Sequence, residues 1–198
     1  MNRFFVGLDL GQAQDYTALS VVEVIPEKRG KKTVNNFQIR HLQRFPLGTP
    51  YPDIVKSVVS LLDSIGKGEL VVDATGVGRP VVDLLKKEDL YPIEIIIHGG
   101  DSTTHEGSIW RVPKRDLIST LTVAFQTGNL KIASALPDAK TLIDELLNFK
   151  VKINLKTAHD SYEAWRDGQH DDLVLSVALA CWAGNNSISF CLDDWDFY

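Results

Sequence analysis

The apolar positions of this chain follow two rhythms. Short apolar runs bounded by glycine, proline or polar clusters predict strands, and apolar residues three and four apart predict helices. The run Phe4–Leu10 is the first strand. A short turn over Gly11–Tyr16 leads to a second, Thr17–Val24, close enough for an antiparallel hairpin, and Pro26 is expected to end it. Asn36–Gln43 completes a three-strand meander. From Asp53 the residues Ile54, Val55, Val58, Leu61, Leu62 and Ile65 take helical spacing, closed by Gly66. Glu69–Asp73 is then a short buried strand, Ala74–Gly78 a tight turn, Pro80–Lys87 a helix and Ile93–Ile97 another buried strand. A helix between two such strands implies parallel pairing.

The remainder is less regular. Gly99–Ser108 is polar and glycine-rich and reads as a mobile surface loop. Val112–Arg115 introduces an amphipathic helix carrying Leu117, Ile118, Leu121, Val123, Ala124 and Phe125, with Gly128 as its cap, and Leu130–Ile132 is a short extended piece. Another helix opens at Pro137–Asp138 with Leu142, Ile143, Leu146 and Leu147 as its core face. Phe149–Lys156 alternates apolar and basic residues, which predicts a strand with Lys150, Lys152 and Lys156 on one face. Those lysines either guard an edge or touch nucleic acid. Asp167–His170 is a turn, and Asp171–Ala183 is a helix apolar almost all round, hence buried. Ser187–Tyr198 is acidic and aromatic. No repeat or linker divides the chain, so the expected organisation is one folded domain over 4–185 and a tail over 186–198.

Composition narrows the class. With 198 residues, 44% hydrophobic and 24% charged, the chain has the make-up of a soluble globular domain with a sizeable core. It has no apolar run long enough to span a bilayer and no secretory signal, so no membrane role and a cytoplasmic setting are expected. The net charge of −5 argues against a uniformly basic nucleic-acid surface and leaves room for local patches. The basic stretch Glu27–Lys32 reads first as a solvated hairpin tip. Two cysteines do not make a disulfide framework, and the five histidines lack zinc-site spacing.

The chemistry rests on carboxylates. Asp9 sits inside an apolar strand, where an ionised group without partners is costly to desolvate. Asp73 ends a buried strand, and Asp171 and Asp172 open a buried helix. Taken singly, Asp73 also suits a turn, and either Asp171 or Asp172 suits a helix N-cap. Together they suggest a metal site. Clustered carboxylates select hard cations such as Mg²⁺ or Mn²⁺, and two such ions hydrolyse phosphodiesters without a nucleophilic side chain. The sequence has neither a serine nucleophile elbow nor a phosphate-binding loop ending in Gly-Lys-Ser/Thr.

In order and spacing, four motifs resemble the nuclease domain of bacteriophage terminase large subunits, within the ribonuclease H-like superfamily that also includes RuvC-like resolvases. They are Gly7-Leu8-Asp9-Leu10-Gly11 followed by Asp15-Tyr16-Thr17-Ala18, Val72–Gly78, Val112–Leu117, and His170-Asp171-Asp172-Leu173-Val174. The resemblance implies a mixed central sheet, a three-strand antiparallel meander plus parallel strands, flanked by helices. It also implies an endonuclease that cuts concatemeric viral DNA at packaging with two Mg²⁺ or Mn²⁺ ions. Carried over, Asp9 bridges both ions, Asp73 holds one and Asp172 the other, with Asp171 its ambiguous neighbour. Asp15 is an auxiliary acid, and His170 orients a ligand or caps the helix. Lys114, Arg115, Lys150, Lys152 and Arg166 are the candidate contacts to double-stranded DNA. The implied partners are an ATPase domain, a small terminase subunit and a portal protein. The chain carries no Walker A motif, so it reads as the nuclease piece of such a protein rather than a motor. The competing readings are a junction resolvase and an actin-like or sugar-kinase-like ATPase fragment.

Overall fold

The computed structural model describes residues 3–11, 15–155 and 171–193. The strands are β1 (Arg3–Asp9), β2 (Ala18–Arg29), β3 (Lys32–Arg44), β4 (Glu69–Asp73), β5 (Ile93–His98), β6 (Thr104–Glu106), β7 (Ile109–Pro113) and β8 (Leu130–Ile132). The helices are α1 (Tyr51–Ile65), α2 (Gly78–Lys87), α3 (Lys114–Gln126), α4 (Ala139–Leu155) and α5 (Asp172–Asp193). The strands form one sheet in the order β6-β7-β5-β4-β1-β2-β3-β8. The meander β1–β2–β3 is antiparallel, while β4, β5 and β7 run parallel to β1 on its other side. This is the mixed sheet expected from the sequence.

Strand alternation divides the core in two. In β1 and β4, Val6, Leu8, Leu70 and Val72 face one layer, where Ile54, Val55 and Val58 of α1 and Val81, Val82 and Leu85 of α2 cover them. Phe5 and Val71 face the other layer, against Leu117 and Leu121 of α3 and the apolar body of α5. Each such side chain, fully buried, contributes about 1.5–3 kcal/mol. Helix α5 is apolar all round because it is surrounded: it contacts β1, β2, β3 and β4 beneath and α3 and α4 beside it. Its Cys181 is part of this packing, and burial pushes the thiol pKa far up, so it is inert.

Val123 and Phe125 of α3 and Ile143 and Leu147 of α4 are exposed rather than part of the apolar faces expected of them. Four expectations about the elements also need correction. Pro26 does not end β2, which runs on to Arg29. Pairing with β1 stops at Val24, so from Pro26 onward only β3 is hydrogen-bonded to β2 and a missing N–H costs nothing. The segment Gly99–Ser108 is not all loop: β6 pairs antiparallel with β7 as an edge hairpin. Trp110 anchors it, stacked at 4.2 Å on His105 and meeting Trp182 of α5 edge-on at 5.5 Å. The alternating stretch from Phe149 is not a strand, since α4 continues through it to Leu155. Extending an existing helix adds one hydrogen bond per residue fixed, and lysine is a good helix former. Finally, α5 does not stop near Ala183 but continues to Asp193.

Gly7 decides how closely α5 lies on the sheet. A Cβ there would stand 1.9 Å from the backbone oxygen of Ser176. Gly7→Ala is therefore expected to push α5 off β1 and to lower stability by roughly 1–3 kcal/mol, as overpacking does. Urea unfolding against the parent measures it.

Candidate metal centre

The carboxylates are gathered by register. In the parallel β1–β4 pair Leu8 stands opposite Val72, so Asp9 and Asp73 follow side by side on strands about 4.8 Å apart. Alternation puts both on the α5 face, with Phe5, Gly7 and Val71. Helix α5 runs antiparallel to β1, with Ser176 beside Gly7 and Gly184 beside Phe5 and Val24. Asp172 precedes Ser176 by one turn, about 6 Å along the helix. Asp9 follows Gly7 by two residues, about 6–7 Å along the strand. The head of α5 thus arrives over the carboxyl ends of β1 and β4.

Local chemistry holds each acid in place. The turn after β4 is fixed by the Thr75 amide donating to Asp73 Oδ1 at 2.8 Å, and by the Ile97 amide donating to Thr75 Oγ1 at 2.9 Å. Gly78 lets α2 begin hard against this turn, because a Cβ there would be 2.0 Å from the Asp73 carbonyl oxygen. Asp73 is thus both a turn residue and a member of the cluster. At the other end, Asp171 uses its carbonyl to accept from the Leu175 amide at 2.9 Å and opens the helix. Asp172 is buried and Asp171 half-buried.

The electrostatics single out Asp9. Its side chain is buried, and its pKa is raised well above the usual carboxylate range. Desolvation is the largest cause, followed by the negative charges of Asp73, Asp172 and Asp171, while Lys114 opposes them. Asp172 acts on Asp9 more strongly than Asp171 does, which separates two neighbours that helical periodicity alone leaves equivalent. Among the described residues no three of His, Cys, Asp or Glu close into a ready-made metal cage. One Asp73 oxygen serves its own turn, and Asp172 Oδ2 lies 3.7 Å from Arg44. The donor set nevertheless fits a hard divalent cation: four carboxylates from three parts of the chain, with the pKa of Asp9 raised by its burial and by the charges of the other three.

The other sequence candidates are placed as follows. Asp15 is exposed in the connection from β1 to β2. That connection is tied down at Gly11, whose amide donates to Thr17 Oγ1 and whose carbonyl accepts from the Tyr51 hydroxyl, each at 3.1 Å. Lys114 opens α3, on the side of the cluster, whereas Arg115 is exposed and paired with Asp101 at 2.6 Å and Asp116 at 3.6 Å. His170 and Arg166 lie outside the described residues, and of Lys150 and Lys152 only the helical backbone is described. Two residues near the cluster were missed in the sequence, Arg44 and Glu145. They form a buried ion pair beside Asp172. The signal for Glu145 was present: it falls on the same stripe as Ala139 and Leu142, which are buried, while Ile143 and Leu147 are 41% and 52% exposed.

No protein-family model matches the chain. It is 27% identical over 177 residues to the terminase large subunit of Thermus phage G20c, covering 89% of this chain and 31% of that relative. The terminase large subunit of Thermus virus P23-45 matches with the same identity and coverage. The chain thus spans about a third of the length of these curated relatives. Among solved structures it resembles the large terminase nuclease of thermophilic phage G20c, with a TM-score of 0.60 and 24% identity, over 90% of this chain and 81% of that one. That nuclease has also been solved with bound magnesium, cobalt and zinc. The fold is ribonuclease H-like, and the resemblance to terminase nucleases read from the motifs is borne out.

The raised Asp9 pKa has a thermodynamic consequence. Its folded form binds a proton more tightly than the unfolded chain does, so the metal-free protein loses stability as pH rises from the ordinary carboxylate range through the folded pKa. In chelator, Asp9→Asn is therefore expected to melt at a higher temperature than the parent at about pH 7, with the gap closing toward about pH 4. Calorimetric melts across that range provide the check.

Proposed function

We propose that this chain is a divalent-metal-dependent endodeoxyribonuclease that cuts concatemeric viral DNA during genome packaging. The observation that carries the reading is the convergence of Asp9, Asp73, Asp171 and Asp172 on the carboxyl ends of two adjoining parallel strands, with the pKa of Asp9 raised by its burial and by the other three. In this reading Asp9 would be shared between two divalent ions, Asp73 would hold one and Asp172 the other, with Asp171 beside it. When bound, Mg²⁺ or Mn²⁺ supplies the Lewis acidity that activates water and stabilises the leaving oxygen of a phosphodiester.

The chain's own residues do the rest. The register of β1 and β4 sets the spacing of Asp9 and Asp73, and the seat of α5 on Gly7 sets the height of Asp172. Lys114 offers a positive group on the rim for a DNA phosphate, joined in this reading by Arg115, Lys150, Lys152 and Arg166. Asp15 is an auxiliary acid at the mouth. The substrate is double-stranded DNA held mainly through its phosphates, with little sequence preference. Residues 4–185 form the nuclease unit and 186–198 a tail. An ATPase domain, a small terminase subunit and a portal protein complete the machine in the host cytoplasm. The nuclease structures with bound divalent metals and the curated terminase relatives support this assignment.

Cleavage of plasmid DNA tests it. The parent is expected to cut in Mn²⁺ or Mg²⁺ and to stop in chelator. Asp9→Asn, Asp73→Asn and Asp172→Asn are each expected to lower the rate by about a thousandfold or more, in line with the several kcal/mol that metal-assisted charge stabilisation contributes. An Asp9→Asn protein that cuts as well as its parent would refute the reading, and strong preference for four-way junctions over linear duplex would redirect it to a resolvase.

A further inference from the structure

Beside the carboxylates lies a buried ion pair that the reaction described above does not use. Arg44 is the last residue of β3, and Glu145 sits within α4. Their side chains, 18% and 7% exposed, meet through Nη2 and Oε1. Each end of the pair also touches the metal site. The second oxygen of Glu145, Oε2, accepts from the Val174 amide in the first turn of α5 at 3.2 Å. The same Arg44 Nη2 lies 3.7 Å from Asp172 Oδ2. The guanidinium is held 4.8 Å above the Tyr16 ring, and the Arg44 amide donates to Asp138 Oδ2 at 3.1 Å, just ahead of α4. Its Nε is buried and makes no hydrogen bond, so the group keeps donor capacity in reserve.

We propose that Glu145 is a positioning residue for the metal site, which holds the Arg44 guanidinium off Asp172 so that the Asp172 carboxylate stays available to a divalent cation. This rests on the metal reading above and adds a control that reading does not contain. A guanidinium and a metal ion compete for the same carboxylate oxygens, and arginine never loses its charge. Arg44 stands between two acids and bonds the nearer, Glu145. Remove the charge on Glu145 and the partly buried guanidinium loses the nearer of its two acids, a costly state. Asp172 is the acid within reach to relieve it. A direct Arg44–Asp172 pair then occupies the oxygens a cation needs. Glu145 also fixes the head of α5 through Val174, so the two effects act on the same carboxylate.

The test is Mn²⁺ binding by titration calorimetry on the parent, Glu145→Gln, and the double variant Arg44→Gln/Glu145→Gln. Glutamine keeps the shape of Glu145 and an oxygen for Val174. Glu145→Gln is expected to weaken Mn²⁺ binding by about tenfold, the scale of outer-shell partners, and the double variant to return within about threefold of the parent. A role in structure alone would lower Mn²⁺ affinity only in step with a lower melting temperature. A weakened affinity in a Glu145→Gln that melts like its parent is therefore the result the proposal expects and a structural role does not. Unchanged Mn²⁺ affinity in Glu145→Gln, or a double variant no better than the single, overturns the proposal. If circular dichroism shows that Glu145→Gln does not fold, the double variant decides. Parental affinity there upholds the proposal, and a loss of about tenfold overturns it. A parent that binds no Mn²⁺ overturns the metal reading and this one with it, whereas a parent that binds and a Glu145→Gln that matches it overturns this one only.

Discussion

Helix α5 can lie against β1 at backbone contact distance only because residue 7 has no side chain, and the geometry of the whole carboxylate cluster follows from that contact. Ser176 occupies the space a Cβ would fill. A glycine inside a strand costs about 0.5–1 kcal/mol relative to alanine in conformational freedom. Here it brings the first turn of α5 down onto the ends of β1 and β4. The same closeness demands that α5 be apolar on nearly every side from Leu173 to Ala183, where the sheet, α3 and α4 enclose it. The serine on that helix satisfies its hydroxyl locally, by donating to the Leu173 carbonyl at 2.9 Å.

Charge runs the other way. Packing stabilises this arrangement, whereas the acids it brings together oppose it. Asp9 is desolvated and feels three neighbouring carboxylates, with Lys114 acting against them. A cluster of this kind makes the empty protein less stable and makes a cation welcome, since binding free energy then becomes folding free energy. Arg44 and Glu145 belong to the same electrostatic neighbourhood, since Arg44 pairs with Glu145 and stands 3.7 Å from Asp172.

Much of this was legible in the sequence. The strand alternation of β1 and the apolar run of β4 announce themselves, and an acid interrupting each is visible without a structure. Helix α5 was recognisable as buried from its uniform apolarity, although that same uniformity hid which of Asp171 and Asp172 turns toward Asp9. What failed did so for local reasons. The period-two pattern from Phe149 is too short to outweigh a helix already under way, and Pro26 is harmless where β2 has lost one neighbour. The edge hairpin β6–β7 is polar except for Trp110 and its neighbours, so its stability comes from a contact with Trp182 far along the chain. Glu145 went unnoticed because the apolar face of α4, right at Leu142 and Leu146, was extended the wrong way round the helix to Ile143 and Leu147, which are exposed.

The parallel partnership of β1 with β4, sealed by a helix from the far end of the chain, also governs the order of assembly. The acids at residues 9, 73 and 172 are adjacent only after two long-range closures: the crossover that seats β4 beside β1, and the docking of α5 across both. Contacts of such sequence separation form late, because loop closure must precede their reward. During synthesis, an emerging chain carries Asp9 and Asp73 for the whole time it takes to make the remaining residues without the full carboxylate cluster. In the proposed nuclease, cleavage is thereby tied to the final folding step, so a truncated or half-folded copy would lack the full set of acids.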